Sequence, residues 1–260
     1  RVRPGVIYAI FGKPSGFQTL NVSNFVFGTD GIRIIGGFSN GYLTVAMLGD
    51  VNSDGIDDIL VTATGVDHDG LNSCGVVYIV YGYHSSPSSQ PSGQPSTQPS
   101  GHPSLIPYKN EHYMSDISLG TMKSYRGFTV FGNSSDDQLG YTMRSAGDFN
   151  SDGLTDFVVT APSAHYGSRV NAGIAYLIFG TVGSRTDINL DEFVSGESGV
   201  RIIGAQSNDH FGEGISKAVD INKDGKRDLI IGAPRATYSS RTKCGIVYVI
   251  FARSGPYSDI

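Results

Sequence analysis

Asp50-Val51-Asn52-Ser53-Asp54-Gly55-Ile56-Asp57-Asp58 decides the reading of this chain, because the pattern returns twice. The second copy is Asp148-Phe149-Asn150-Ser151-Asp152-Gly153-Leu154-Thr155-Asp156, and the third is Asp220-Ile221-Asn222-Lys223-Asp224-Gly225-Lys226-Arg227-Asp228. Every copy sets oxygen-bearing side chains at positions 1, 3, 5 and 9 and a glycine at position 6. A hard cation such as calcium takes about 6 to 8 oxygens at flexible geometry, and alternate positions on a tightly curled loop turn their oxygens inward. Glycine permits the sharp turn, and the carbonyl of position 7 supplies a further ligand. Three Ca²⁺ sites are therefore expected. Their ligands are Asp50, Asn52, Asp54, Ile56 and Asp58; Asp148, Asn150, Asp152, Leu154 and Asp156; and Asp220, Asn222, Asp224, Lys226 and Asp228.

Other cations fit less well. Magnesium demands a smaller, near-octahedral shell, and zinc prefers the Cys and His ligands that these loops lack. An EF-hand shares the opening of the pattern but needs glutamate at position 12 between helices. Here position 12 is Val61, Val159 or Ile231, inside apolar β-branched runs, so the loops read as β-hairpin calcium loops. An Asp/Asn/Gly-rich turn without metal is the plainer alternative, and three copies at identical spacing argue against it.

Outward from the loops, three segments align: Gly31 to Gly82, Gly127 to Gly180 and Gly199 to Ala252. Each opens with a short apolar run, such as Ile32-Arg33-Ile34-Ile35, and has a second run before the loop. A third follows the loop, and the segment closes on a fourth: Val76 to Tyr81, Ile174 to Phe179 or Ile246 to Phe251. Four short β-branched and aromatic runs per repeat, bounded by Gly, Asn and Ser, predict four-stranded propeller-type blades. The expected fold class is all-β, with three complete four-stranded blades plus one extra closing strand, Gly5-Val6-Ile7-Tyr8-Ala9-Ile10-Phe11-Gly12. That surplus strand reads as the end of a preceding blade. Open blade edges predict head-to-tail self-association.

The loop-starting aspartates are unevenly spaced because Pro87 to Ser104 intervenes, with proline at every fourth position from Pro87 to Pro103. That period fits neither helix nor strand, so an extended polyproline-like spacer is expected. The resulting organisation is 1–30, end of a preceding blade and its connection; 31–86, first blade; 87–104, linker; 105–126, connection; 127–198, second blade and connection; and 199–260, third blade.

The third repeat, with Phe211-Gly212, its loop and Gly232-Ala233-Pro234, resembles an FG-GAP repeat of the integrin α-subunit β-propeller. The second is similar, with Leu139-Gly140 and Thr160-Ala161-Pro162. The first departs further, with Gly41-Tyr42 and Thr62-Ala63-Thr64. The resemblance implies propeller blades that each carry calcium in a hairpin. Function does not follow from it alone, because such repeats serve in adhesion, in lectin-like binding and beside hydrolases.

The acidity is local. Net charge is −5, and without the nine aspartates at loop positions 1, 5 and 9 it would be +4, which gives no basic surface for nucleic acid. No run is long and apolar enough for a membrane span. A chain that opens on Arg1 reads as processed or partial. Asn21 and Asn133 head acceptor triplets for N-glycans, and Ser88, Ser92, Ser96, Thr97, Ser100 and Ser104 of the spacer are candidates for O-linked sugar. Cys74 and Cys244 stand at equivalent points of non-adjacent repeats, too far apart for an intrachain disulfide; two buried thiols are the plain expectation, an interchain bridge the sharper one. The six histidines show no zinc or triad spacing, and no nucleophile elbow or acid pair is present, so no enzyme is expected. The reading is a secreted or cell-surface, calcium-stabilised structural or adhesive protein that self-assembles into a filament or appendage. The alternatives are an integrin-like module for a protein or carbohydrate ligand, or an accessory domain of a secreted hydrolase.

Overall fold

The computed structural model describes residues 5–11, 21–26, 31–38, 42–83 and 116–260. The spacer 87–104, with its six candidate O-glycosylation residues, lies outside the described residues, as do Gly12 and Gly41. Fifteen strands are described: β1 (Val6–Ile10), β2 (Gly31–Ile35), β3 (Leu43–Gly49), β4 (Asp58–Ala63), β5 (Val76–Val80), β6 (Ile117–Ser118), β7 (Gly127–Phe131), β8 (Met143–Gly147), β9 (Asp156–Ala161), β10 (Ile174–Ile178), β11 (Ile188–Asn189), β12 (Gly199–Ile203), β13 (Gly214–Ile215), β14 (Leu229–Ala233) and β15 (Ile246–Ile250). The regular elements besides these are short 3-10 turns. The all-β, blade-type fold is the one that the repeats predict.

Strand grouping is shifted by one from the repeat boundaries. The opening run of each repeat pairs with the closing strand of the repeat before it: β2 with β1, β7 with β5 and β12 with β10, all antiparallel. The sheets are thus β3-β4-β5-β7 and β8-β9-β10-β12, each with four antiparallel strands, while β13-β14-β15 has three and β1 carries β2. The surplus strand is therefore a pair, and two blades rather than three hold four strands among the described residues. The cause lies in the glycine that opens each run. A Cβ on Gly31, Gly127 or Gly199 would sit 1.9, 1.7 or 2.0 Å from the carbonyl oxygen of Ala9, Ile79 or Leu177. Only glycine lets the outer strand approach the preceding blade so closely.

Period-2 alternation then stacks the blades. On β10, Ile174, Tyr176 and Ile178 face one core with Val77, Ile79, Phe128 and Leu139. Ala175 and Leu177 face the next core, with Val200, Phe211, Leu229 and Ile231. Central strands are buried on both faces, which is why their sequences read as unbroken apolar runs. A third core joins Ile32 and Ile34 to Val61, Val76, Tyr78 and Val80.

Short parallel segments finish the rim. β6 lies along β2 and β11 along β7, and Ile260 exchanges backbone hydrogen bonds with Arg201 and Ile203 of β12. The residue before each is an aspartate that grips the outer strand: Asp116 pairs with Arg33, Asp187 accepts from the Thr129 amide at 2.7 Å, and Asp259 takes the Arg201 guanidinium in two bonds of 3.0 and 2.9 Å.

Candidate metal-binding loops

Each aspartate loop leads from the edge strand of its sheet to the next strand, β3 to β4, β8 to β9 and β13 to β14. In the first two blades a β-bulge at Met47/Gly49 or Ser145/Gly147 breaks the register just before the loop and starts its curl. Position 4 adopts positive φ in all three loops (Ser53 63°, Ser151 65°, Lys223 61°), followed by the position-6 glycines at 86°, 89° and 87°. A Cβ at those glycines would meet nothing within 4 Å, so backbone conformation rather than space selects glycine there.

Side chains fold over that turn identically. The position-1 carboxylate accepts from the amides of positions 5 and 6: Asp54 N and Gly55 N reach Asp50 at 3.1 and 2.8 Å. The same pairs span 3.0 and 3.0 Å at Asp148 and 3.1 and 2.9 Å at Asp220. The position-3 asparagine Oδ1 accepts from that same position-5 amide, so oxygens of positions 1 and 3 converge on one nitrogen. Its Nδ2 donates to the position-5 carboxylate, whose other oxygen accepts from the amide of Ile56, Leu154 or Lys226 at position 7.

Position 9 behaves differently. Asp58, Asp156 and Asp228 are fully buried, with both oxygens held by backbone amides. Asp58 takes Val51 N and Gly82 N, both at 2.8 Å; Asp156 takes Phe149 N, Asn150 N and Gly180 N; Asp228 takes Ile221 N and Ala252 N. Each staples the loop to the exit of the closing strand. Burial pushes the carboxyls of Asp58 and Asp156 up to about 6, against the opposing pull of those amides. Asp224 is instead held below the ordinary carboxylate value by the Lys226 amide and Asn222.

The oxygens of positions 1, 3 and 5 thus lie together on the curled turn, beside the position-7 residue. In this geometry no group of three or more His, Cys, Asp or Glu side chains is drawn together among the described residues, because position 9 faces amides and position 3 is an amide side chain. The donor set itself is hard oxygen throughout, which fits calcium: a carboxylate that accepts two amides keeps lone pairs for a cation.

The other expected sites are scattered. Asn21 is exposed, with its Oδ1 accepting from Ser23 N at 2.9 Å. Asn133 is half-buried between β7 and β8, and Ser135 of its triplet accepts from Asn72 N of the neighbouring blade at 3.1 Å. Both cysteines are free. Cys74 is buried but Cys244 is exposed, so two buried thiols are not what the fold produces; no further blade covers Cys244 among the described residues.

Two features escaped sequence reasoning. The position-9 staple was indistinguishable from a ligand, since a carboxylate serves both ends. The rim aspartates had a visible signal in Ser115-Asp116-Ile117, Thr186-Asp187-Ile188 and Ser258-Asp259-Ile260, obscured by the spacer that displaces the first copy.

Comparison with known proteins agrees with the repeats. The FG-GAP repeat family model matches residues 43–80, 145–178 and 211–250. The chain is 39% identical over 116 residues to a bovine (Bos taurus) phosphatidylinositol-glycan-specific phospholipase D, a match covering 44% of this chain and 13% of that protein. It is 37% identical over 100 residues to integrin alpha-PS5 of Drosophila melanogaster, covering 38% and 9%, and 30% identical over 148 residues to bovine integrin alpha-2, covering 55% and 12%. The chain therefore spans only a small part of the relatives it matches. With one match on each aspartate loop and blade-type sheets around them, the chain carries three FG-GAP repeats and resembles the integrin α-subunit propeller.

Proposed function

We propose that the chain is a calcium-stiffened, extracellular structural or adhesive module whose blades continue by docking a further blade, head to tail. Among the described residues no helix is long and apolar enough to cross a membrane. Calcium, when bound, would neutralise the carboxylates of each loop and lock the hairpin that the loop closes. Glycans on Asn21, Asn133 and the spacer would keep the remaining surface hydrated.

One observation carries the docking part. Inside the molecule, each blade receives a turn of the next along three backbone carbonyls. Asp136, Gln138 and Leu139 amides bond Asn72, Ser73 and Cys74 at 2.8, 3.2 and 3.0 Å, and Asn208, His210 and Phe211 bond Val170, Asn171 and Ala172 at 2.8, 3.2 and 3.0 Å. The corresponding edge of the last blade, at Cys244 and Gly245, instead bounds a cavity of ≈ 520 Å³ with Glu213, Pro234, Ile246 and Val247. On that face Val247 is 68% and Phe251 52% exposed, where the equivalent Ala175 is fully buried and Phe179 nearly so. Apolar surface of this kind is an association site.

Light scattering and electron microscopy test the reading. Rings or filaments that Val247→Lys disperses are expected; a wild-type monomer at all concentrations would contradict self-association. A second reading is favoured by the relatives: the repeats could equally serve as the accessory propeller of a larger secreted hydrolase, or bind a protein or carbohydrate ligand. Finding a hydrolase domain in the same gene would decide for the former.

A further inference from the structure

We propose that the three loops form a graded series toward calcium, tightest at 50–58 and weakest at 220–228, and that the tight site is completed by the neighbouring blade. The proposal rests on the calcium reading above.

Two independent observations order the loops alike. The first is charge. Loop 50–58 carries four carboxylates, Asp50, Asp54, Asp57 and Asp58, and no cation. Loop 148–156 carries three and no cation, while loop 220–228 carries three together with Lys223, Lys226 and Arg227 in the same nine residues. Calcium affinity in oxygen-ligand loops follows the charge at the site and its rigidity, and cations carried on the same loop oppose a divalent ion.

The second is enclosure. The segment that follows β10 crosses from its own blade onto the first loop, where Thr181 N and Gly183 N donate to the carbonyls of Val51 and Asn52 at 3.0 and 2.7 Å. It is pinned by Arg185, whose guanidinium donates to the Phe179 carbonyl and stacks over Phe128, and whose backbone amide donates to the Tyr81 hydroxyl oxygen at 3.1 Å. Thr155 of the second loop packs beside Gly49, at 3.6 Å from its would-be Cβ. The outcome is that Asn52 is only 7% exposed, Asn150 is half-buried and Asn222 is exposed. At the second loop the corresponding neighbour is Arg227, with its Cδ 2.8 Å and its Nε 3.5 Å from the would-be Cβ of Gly147, next to Asp148. The first loop is thus held in shape by two blades before any ion arrives, and a preformed site loses less freedom on binding.

The consequence is a division of labour. Calcium in the first loop fastens two blades together, and the last loop fills only when calcium is abundant.

Isothermal titration of the whole 260-residue chain with calcium alone tests this, with circular dichroism confirming that each variant is folded. Wild type is expected to show resolved steps. Asp50→Asn with Asp54→Asn, which keeps shape and removes charge, deletes the tightest step, and Asp220→Asn with Asp224→Asn deletes the weakest. Lys223→Ser, Lys226→Leu and Arg227→Thr together give the third loop the residues of the second at those positions and tighten the weakest step about tenfold or more. Hydrogen exchange at the Thr181 and Gly183 amides slows with the first equivalent of calcium. Three equal affinities, or a tightest step lost with Asp220 and Asp224, overturn the gradation while leaving calcium binding intact. No heat at millimolar calcium overturns the calcium reading and the gradation with it.

Discussion

At position 9 of each loop an aspartate is spent on the fold. Removing the Asp156 side chain strands the amides of Asn150 and Gly180 and leaves that of Phe149 only the Gly147 carbonyl at 3.1 Å, and unsatisfied buried donors cost about 1 to 3 kcal/mol each. Asp156→Ala is expected to lose about 3 kcal/mol or more in urea unfolding, even with calcium withheld. Gly153, at φ 89°, sits where an alanine is strained, so Gly153→Ala should cost about 1 to 3 kcal/mol. Asp137 gives a pH dependence of known sign. It is 4% exposed, and burial pushes its carboxyl up to about 7. A group whose folded value exceeds its unfolded value of about 4 favours the fold when protonated. That contribution is complete below about pH 4 and is lost as pH rises through 7. Asp137→Asn should therefore match wild type in thermal melts at pH 4 and exceed it at pH 8; equal melting at both would refute the assignment. The pattern of oxygens and the turn glycines were legible in the sequence, because each demand is local to nine residues. The role of position 9 was not, because its partners Gly82, Gly180 and Ala252 lie 24 residues further on.

Among the elements, the strands could be read from the sequence and their partners could not. Runs such as Val76-Val77-Tyr78-Ile79-Val80 are apolar at every position because blades cover both faces, and that leaves a plain trace. Whether Gly127-Phe128-Thr129-Val130-Phe131 opens one sheet or closes the one before depends on a pairing across the spacer, to which local composition is blind. The rim aspartates complete those outer strands from outside. Asp259 holds Arg201 through two bonds and accepts from Ser195 Oγ at 2.5 Å and Tyr166 OH at 3.2 Å, with both charged side chains about a quarter exposed. Bidentate pairs of this kind outlast simple surface ion pairs. Asp259→Ala should destabilise the β10–β12 blade by about 1 to 2 kcal/mol, read as faster amide exchange at Arg201 and Ile203.

The described residues form a lateral stack of sheets that share cores with their neighbours, and the three that follow the β1–β2 pair each bear an aspartate loop at the same turn. Such a stack is stabilised by nearest-neighbour interfaces, so whatever stiffens one hairpin is felt in the blades on either side. Calcium is the proposed stiffener. A ligand that binds only the folded state at a hundredfold excess over its dissociation constant adds about 2.7 kcal/mol per site, and a chain of this size gains roughly 2 to 4 °C per kcal/mol. Thermal unfolding of the 260-residue chain in millimolar calcium, against the same protein in excess chelator, is the most direct test. The account predicts that calcium raises the melting temperature by at least about 5 °C for each saturated loop. A melting temperature that is the same with calcium and with chelator would contradict it.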